Sequence, residues 1–286
     1  MAEQKEVSVA TAHSGLTGNI VFLNREPYQR EGLRVQLICP GTGRAIVEAL
    51  LRGEADYTNV LAGPIMAAVG GAPLKFVLDY QHRGWELWAR PEIMTVSDLV
   101  GKTIAQTSPL AEKYLHAALQ RHGVDPRAVR TGQPVFSPQG ILAGEVDAAL
   151  LLAPMTAEAE RAGLRRLLGA AEIGDPPTYG LMTTDERLRS HPDEVRRMIR
   201  ATLNSVRQLL EDPTRRFALV KELGTPDELV EAALEATIGH LDATGDIPAE
   251  TQRRWIEIAC EATGVQHPVP LTQVFDFGIL HQLESA

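Results

Sequence analysis

Leu51-Arg52-Gly53-Glu54-Ala55-Asp56 recurs later in the chain as Leu142-Ala143-Gly144-Glu145-Val146-Asp147. Each copy reads as a helix end, a glycine in the left-handed C′ position, a short charged turn and the start of a strand. The match continues beyond the turn. Leu61-Ala62 corresponds to Leu152-Ala153, and Pro64 to Pro154 after a slip of one residue. One copy alone is an ordinary helix-to-strand connection. Two copies in the same order imply two lobes built on one plan.

Outward from these turns, short apolar runs alternate with helical patterns. Val7–Ala12, Leu33–Cys39, Asp56–Val60, Lys75–Tyr80 and Thr103–Gln106 read as strands, with helical stretches at Asn19–Gln29 and Ala45–Leu51. Ser108 at the N-cap and Pro109 at the first helical position predict a helix to about His122, stopped by Gly123. Strands alternating with helices of this length give an α/β fold with a mixed, mostly parallel sheet in each lobe. Beyond Thr183 the pattern turns helical. Val195, Met198, Ile199, Leu203, Val206 and Leu210 mark the apolar stripe of a helix over Asp193–Glu211, followed by helices over Asp227–Leu241 and Pro248–Thr263. Crossing strands are expected near Trp85–Ala89 and Gly180–Thr183. The boundaries are then 1–86 with 184–286 for a discontinuous lobe 1 and 87–183 for lobe 2, the helical tail packing on lobe 1.

The 286 residues suffice for two lobes with real cores. A net charge of −9 and the lack of a basic stripe argue against a nucleic-acid partner. The arginines of Arg187–Arg200 are interrupted by acidic residues and read as a solvated helix face. No apolar run is long enough to span a bilayer, so no membrane insertion is expected. Met1–Glu6 is polar, without the apolar centre of a secretory leader. The expectation is therefore a periplasmic or other extracytoplasmic protein whose leader was removed, or a cytoplasmic one if Met1 is the native start. Cys39 and Cys260 read as buried thiols, with nothing to suggest a bridge.

Several segments together resemble one family. They are Phe22–Val35, a helix leading into a glycine-leucine-x-valine strand; Ala49–Asp56; Val96–Ala105, with Asp98-Leu99-Val100-Gly101-Lys102; and Gly144–Ala148 followed by Pro154. In this order they resemble the substrate-binding proteins of aliphatic sulfonate, taurine, nitrate and thiamine-pyrimidine ABC importers, a group that includes the thiamine pyrimidine synthases. The resemblance covers residues 7–283. It implies a two-lobed type II periplasmic-binding-protein fold that captures a small polar, anionic or planar organic solute between its lobes by hinge closure. For an importer component it also implies an ABC transporter permease as partner; a monomer is the simplest expectation for a closing clamp, and no cofactor or metal is expected. It does not identify the solute.

Ligands of such α/β lobes sit beyond the carboxyl ends of strands, where helix N-termini present unpaired N–H groups. The candidates are Thr11, His13 and Ser14 after the first strand, Thr42 and Arg44 after the second, Thr58 and Asn59 after the third, and Gln81, His82 and Trp85 after the fourth. The second lobe supplies Thr107, Ser108, Ser137, Pro154 and Tyr179. Most carry hydroxyl or amide groups. Arg44 at a helix N-terminus opposes the helix dipole, which an anionic ligand would explain; a solvent-facing arginine is the plainer alternative. Trp85 and Trp88 read as core residues beside a crossing strand, or as a stacking platform. The enzyme signals are weaker. Gly41-Thr42-Gly43 lacks the remaining glycine of a dinucleotide fingerprint, and no nucleophile elbow occurs. The alternative is a cytoplasmic enzyme or sensor on the same fold, using His13, His82 and Glu86 for acid–base or metal work.

Overall fold

The computed structural model describes residues 4–12, 18–81, 84–106, 108–135, 137–222 and 227–284. Its strands are β1 (Lys5–Ala10), β2 (Leu33–Ile38), β3 (Tyr57–Val60), β4 (Leu74–Gln81), β5 (Glu86–Ala89), β6 (Thr103–Ala105), β7 (Arg130–Thr131), β8 (Ala148–Leu151), β9 (Arg165–Leu168) and β10 (Tyr179–Thr184). The chain divides into two compact units. Unit 1 comprises Met1–His82, Pro177–Gly224 and Leu241–Ala286; unit 2 comprises Arg83–Pro176 and Thr225–His240.

Unit 1 holds a five-stranded sheet in the order β2-β1-β3-β10-β4. β1 runs parallel to β2 and β3, whereas β10 runs antiparallel to β3 and β4. β4 and β10 are buried nearly throughout, as expected of strands covered on both faces. Unit 2 repeats the plan in the order β7-β6-β8-β5-β9, with β6 parallel to β7 and β8, and β5 antiparallel to β8 and β9. Each sheet is thus mixed and mostly parallel, with one reversed strand inside it, and helices flank both.

The repeated turns carry this correspondence into atomic detail. Gly53 and Gly144 adopt φ of 71° and 75°, a left-handed backbone that a Cβ would strain. The aspartates that follow do the same work twice. Asp56 N–H donates to Ser8 O (3.1 Å) and its Oδ2 accepts from Ser8 N (2.7 Å). Asp147 N–H donates to Thr103 O (2.8 Å) and its Oδ2 accepts from Thr103 N (2.8 Å). The other carboxylate oxygen of each holds an arginine that follows the reversed strand: Arg187 on Asp56, Arg90 on Asp147. One aspartate therefore ties β1 in unit 1, and β6 in unit 2, to the chain leaving the reversed strand of the same sheet.

Around the sheet of unit 1, the helix Pro192–Glu211 packs on Arg25–Arg30 and Gly278–Glu284, while Ala249–Thr263 packs on Ala62–Val69. Phe76 makes edge contacts with Trp255, Phe275 and Phe277. In unit 2, Trp88, Ala105, Ile141, Val146, Ala149 and Leu151 form the core. The tail helix Asp227–Ile238 packs on Met155–Arg161.

Four local expectations need correction. Asn19–Gln29 is not one helix but two, Ile20–Leu23 and Arg25–Arg30. Pro27 has no N–H to continue the ladder, and its ring conflicts with the carbonyl four residues back. Cys39 is exposed while Cys260 is buried, because β2 is an edge strand that ends at Ile38. On Pro192–Glu211 the stripe closes on buried Leu209, leaving Leu210 38% exposed. Thr58 and Asn59 lie within β3 rather than after it.

Candidate functional site

In unit 1 the carboxyl end of β1 leads into a buried hydrogen-bonded network. Thr11 and Asn59 have no more than 1% of their surface exposed, and neither has Asn19. Asn19 Oδ1 accepts from Thr11 Oγ1 (3.1 Å) and from Asn59 Nδ2 (2.8 Å). Thr11 and Asn59 thereby share one acceptor. Tyr80 reaches the same loop by donating from its hydroxyl to Gly18 O (3.1 Å). Burial pushes the Tyr80 phenol well above its ordinary value, so it stays a neutral donor at physiological pH. Thr58 Oγ1 donates to Ala10 O (2.9 Å), which spends its one proton between β1 and β3.

Gln81 closes β4 and pairs in register with Tyr179 at the start of β10, which also pairs with Val60. Because β10 runs backwards, its first residue lies at the carboxyl ends of β3 and β4. The Tyr179 ring lies against Gly18, where a Cβ would come 2.3 Å from Tyr179 Cδ1. Glycine is therefore required there for contact as well as for its φ of 65°. Gln81 is completely buried, yet among the described residues neither Oε1 nor Nε2 has a hydrogen-bond partner; Asn59 Oδ1 is unpaired likewise among them.

The remaining unit 1 candidates lie apart from this network. Thr42 caps the helix Gly43–Leu51 by accepting from Ala45 N (3.2 Å). Arg44 is 89% exposed, and its Nε donates to Glu48 Oε1 (2.9 Å). That hydrogen bond holds the Glu48 carboxyl below its ordinary value. No hydrogen bond or ion pair of Arg44 reaches Thr11, Asn19 or Asn59. His13, Ser14, His82 and Thr107 lie outside the described residues.

Unit 2 gathers a smaller set at the corresponding end of its sheet. Ser108 caps Pro109–Arg121, accepting from Ala111 N (3.1 Å). Pro154 precedes Met155–Arg161. Trp85, just before the reversed strand β5, is 6% exposed, and its indole Nε1 is buried with no partner among the described residues. Gln106, directly after β6, has Oε1 buried and unpaired among the described residues. Ser137 is half-buried, just ahead of the helix Gln139–Leu142. Trp88 is core, its Nε1 donating to Glu86 (2.9 Å). Glu86 also pairs with Arg166 (3.1 Å). A carboxylate held by an indole and a guanidinium is poorly placed for the acid–base or metal role that the alternative reading gave it. Among the described residues no group of three or more His, Cys, Asp or Glu side chains gathers to hold a metal ion.

Sequence reasoning missed Asn19 and Gln106. Asn19 had one usable signal, an amide at the N-terminal edge of a helix after a glycine-rich loop. Gln106 read as the last residue of its strand, and nothing marked its amide as unpaired.

Two sheets of one strand order, each with a reversed strand and with polar side chains at its carboxyl end, define the type II periplasmic-binding-protein fold. The chain belongs to the NMT1/THI5-like family, whose description it matches over residues 15–216. No curated protein sequence matches it significantly. Among solved structures it is similar to the alkanesulfonate-binding protein SsuA from Xanthomonas axonopodis bound to MOPS, at 18% identity and a TM-score of 0.75, covering 96% of this chain and 98% of that one. It is also similar to the ligand-binding component of an ABC-type import system from Staphylococcus aureus with zinc bound, at 11% identity and a TM-score of 0.76, covering 98% and 99%. A third is the desulfurization enzyme DSZB, at 13% identity and a TM-score of 0.71, covering 99% of each chain. Likeness at these identities establishes the fold.

Proposed function

We propose that this protein is the solute-binding component of an ABC importer, acting outside the cytoplasm and taking one small polar organic solute. The observation that carries the reading is the buried Thr11–Asn19–Asn59 network beside the unpaired Gln81 amide. A strand end that buries amide groups without partners incurs a desolvation cost that a bound solute offsets. The names of two similar structures, an alkanesulfonate-binding protein and the ligand-binding component of an ABC-type import system, support the assignment. The pairing of Glu86 with Arg166 and Trp88 weighs against catalysis at that residue. Hinge closure is part of the proposal: binding favours a closed state only if one solute touches both units. Trp85, Ser108 and Pro154 are the unit 2 contacts proposed. His13, Ser14, Thr42, Thr58, His82, Thr107, Ser137 and Tyr179 remain candidates.

The test is a thermal-shift screen of the purified protein against sulfonates, aromatic acids, pyrimidines and divalent metals, with mass spectrometry of each positive mixture. A solute at 100 times its Kd stabilises by about 2.7 kcal/mol. Recovery of an unchanged stabilising compound supports the importer role; its conversion, or stabilisation by a metal alone, sinks it. Arg44, 89% exposed and paired with Glu48, is a candidate contact only for a solute that proves anionic. Arg44→Ala is expected to weaken an anionic solute more than tenfold by calorimetry and to leave an uncharged one unaffected.

A further inference from the structure

We infer that Gln81 reads an uncharged donor–acceptor edge on the solute, a carboxamide, lactam or ureide group, in preference to a carboxylate or sulfonate. The inference rests on the solute-binding role proposed above and narrows the class of solute. Gln81 is fully buried at the end of β4, and both polar atoms of its amide lack partners among the described residues. Exchanging Oε1 and Nε2 therefore leaves the requirement unchanged, and the argument does not depend on which way the amide faces. One acceptor and one donor side by side are matched by a group that presents a donor and an acceptor at the same spacing, such as a second amide.

An anionic oxygen satisfies only half of this pair. It accepts from Nε2 but sets a negative charge against the Oε1 lone pairs, in a buried place where such repulsion is poorly screened. The surrounding inventory points the same way. Asn59 Oδ1 is a second buried acceptor without a donor, while Asn59 Nδ2 is already committed to Asn19. Counted with Gln81, the unpaired buried atoms of Asn59 and Gln81 comprise two acceptors and one donor group. The solute must therefore bring N–H groups, and carboxylates and sulfonates have none to bring. Specificity of this kind is steep, because the wrong ligand leaves the site's own buried polar groups unpaired.

The experiment is calorimetric titration of the full chain with matched probes. These are nicotinamide against nicotinate, benzamide against benzoate, and propanamide against propanoate, together with hydantoin, 2-imidazolidinone and ethanesulfonate. The wild type is compared with Gln81→Met, which keeps the length of the side chain and removes its polar atoms. The expected result is that an amide or ureide binds at least tenfold more tightly than its acid counterpart. Gln81→Met should then lose at least tenfold for that compound while its ligand-free melting temperature is unchanged or higher. Preference for an acid or the sulfonate overturns the inference and leaves solute binding standing. Affinities within twofold of wild type in Gln81→Met overturn it too, and mark the amide as the site of a buried water. Failure of every probe here, and of every compound in the broader screen, overturns the solute-binding role itself.

Discussion

At the scale of single residues, the site depends on shared acceptors more than on charges. Asn19 Oδ1 takes two hydrogen bonds, from Thr11 and Asn59. Asn19→Ala removes the buried acceptor that Thr11 and Asn59 share. The expected cost is on the order of 2 kcal/mol, read as a lower urea midpoint, and a midpoint within error of wild type would remove Asn19 from the network. Much of this neighbourhood was legible in the sequence, because the rule placing ligands at carboxyl ends of strands selects Thr11, Asn59 and Gln81 from position alone. What the rule cannot show is which polar atoms already have partners. Thr58 satisfies it and spends its proton on Ala10 O, whereas Gln106 was passed over and holds an unpaired oxygen. The expectation at Arg44 followed from the helix dipole, and a glutamate one turn later provides a partner within the same helix.

At the scale of elements, the paired aspartate turns organise both sheets. Arg187 joins Asp56 to Glu194, and Glu194 also accepts from Tyr57 (3.1 Å) and pairs with Lys5. Arg187→Met takes the shared cation from two carboxylates and leaves Glu194, 2% exposed, with Lys5 as its remaining cation; it is expected to destabilise unit 1 by about 3 kcal/mol in urea unfolding. The same cluster sets a pH dependence. Burial pushes the Glu194 carboxyl up, but the hydrogen bond from Lys5 and the charge of Arg187 outweigh it and hold the group below its ordinary 4.5. A depressed folded value means that the unfolded chain binds the proton first. The contribution is therefore complete above about pH 4.5 and is lost as pH falls through the folded value. Urea midpoints should decline over that acid range in wild type and flatten in Glu194→Gln; equal slopes would remove Glu194 as the cause. The strands themselves were readable because apolar runs and turn glycines are local signals. The break at Asn24 and the exposure of Cys39 were not, since one depends on how Pro27 meets the preceding turn and the other on which strand ends up at a sheet edge.

At the scale of the whole molecule, the duplication of Leu51–Asp56 as Leu142–Asp147 identified two units on one plan, and the matching strand orders agree. The closure proposed above predicts that saturating solute lowers the radius of gyration in small-angle scattering. An unchanged value at full occupancy would leave a binding protein that does not close. The path of the tail was beyond sequence reasoning, because an amphipathic helix records that it must be covered but not by what. Asp227–Ile238 lies on unit 2, while the segments before and after it belong to unit 1. Unit 2 is consequently not a single insert in the gene. A chimera that exchanges residues 83–176 alone for those of a relative would set a foreign Met155–Arg161 surface against the native tail helix. Grafting a new specificity onto this scaffold thus calls for two transplanted segments, the second being 225–240.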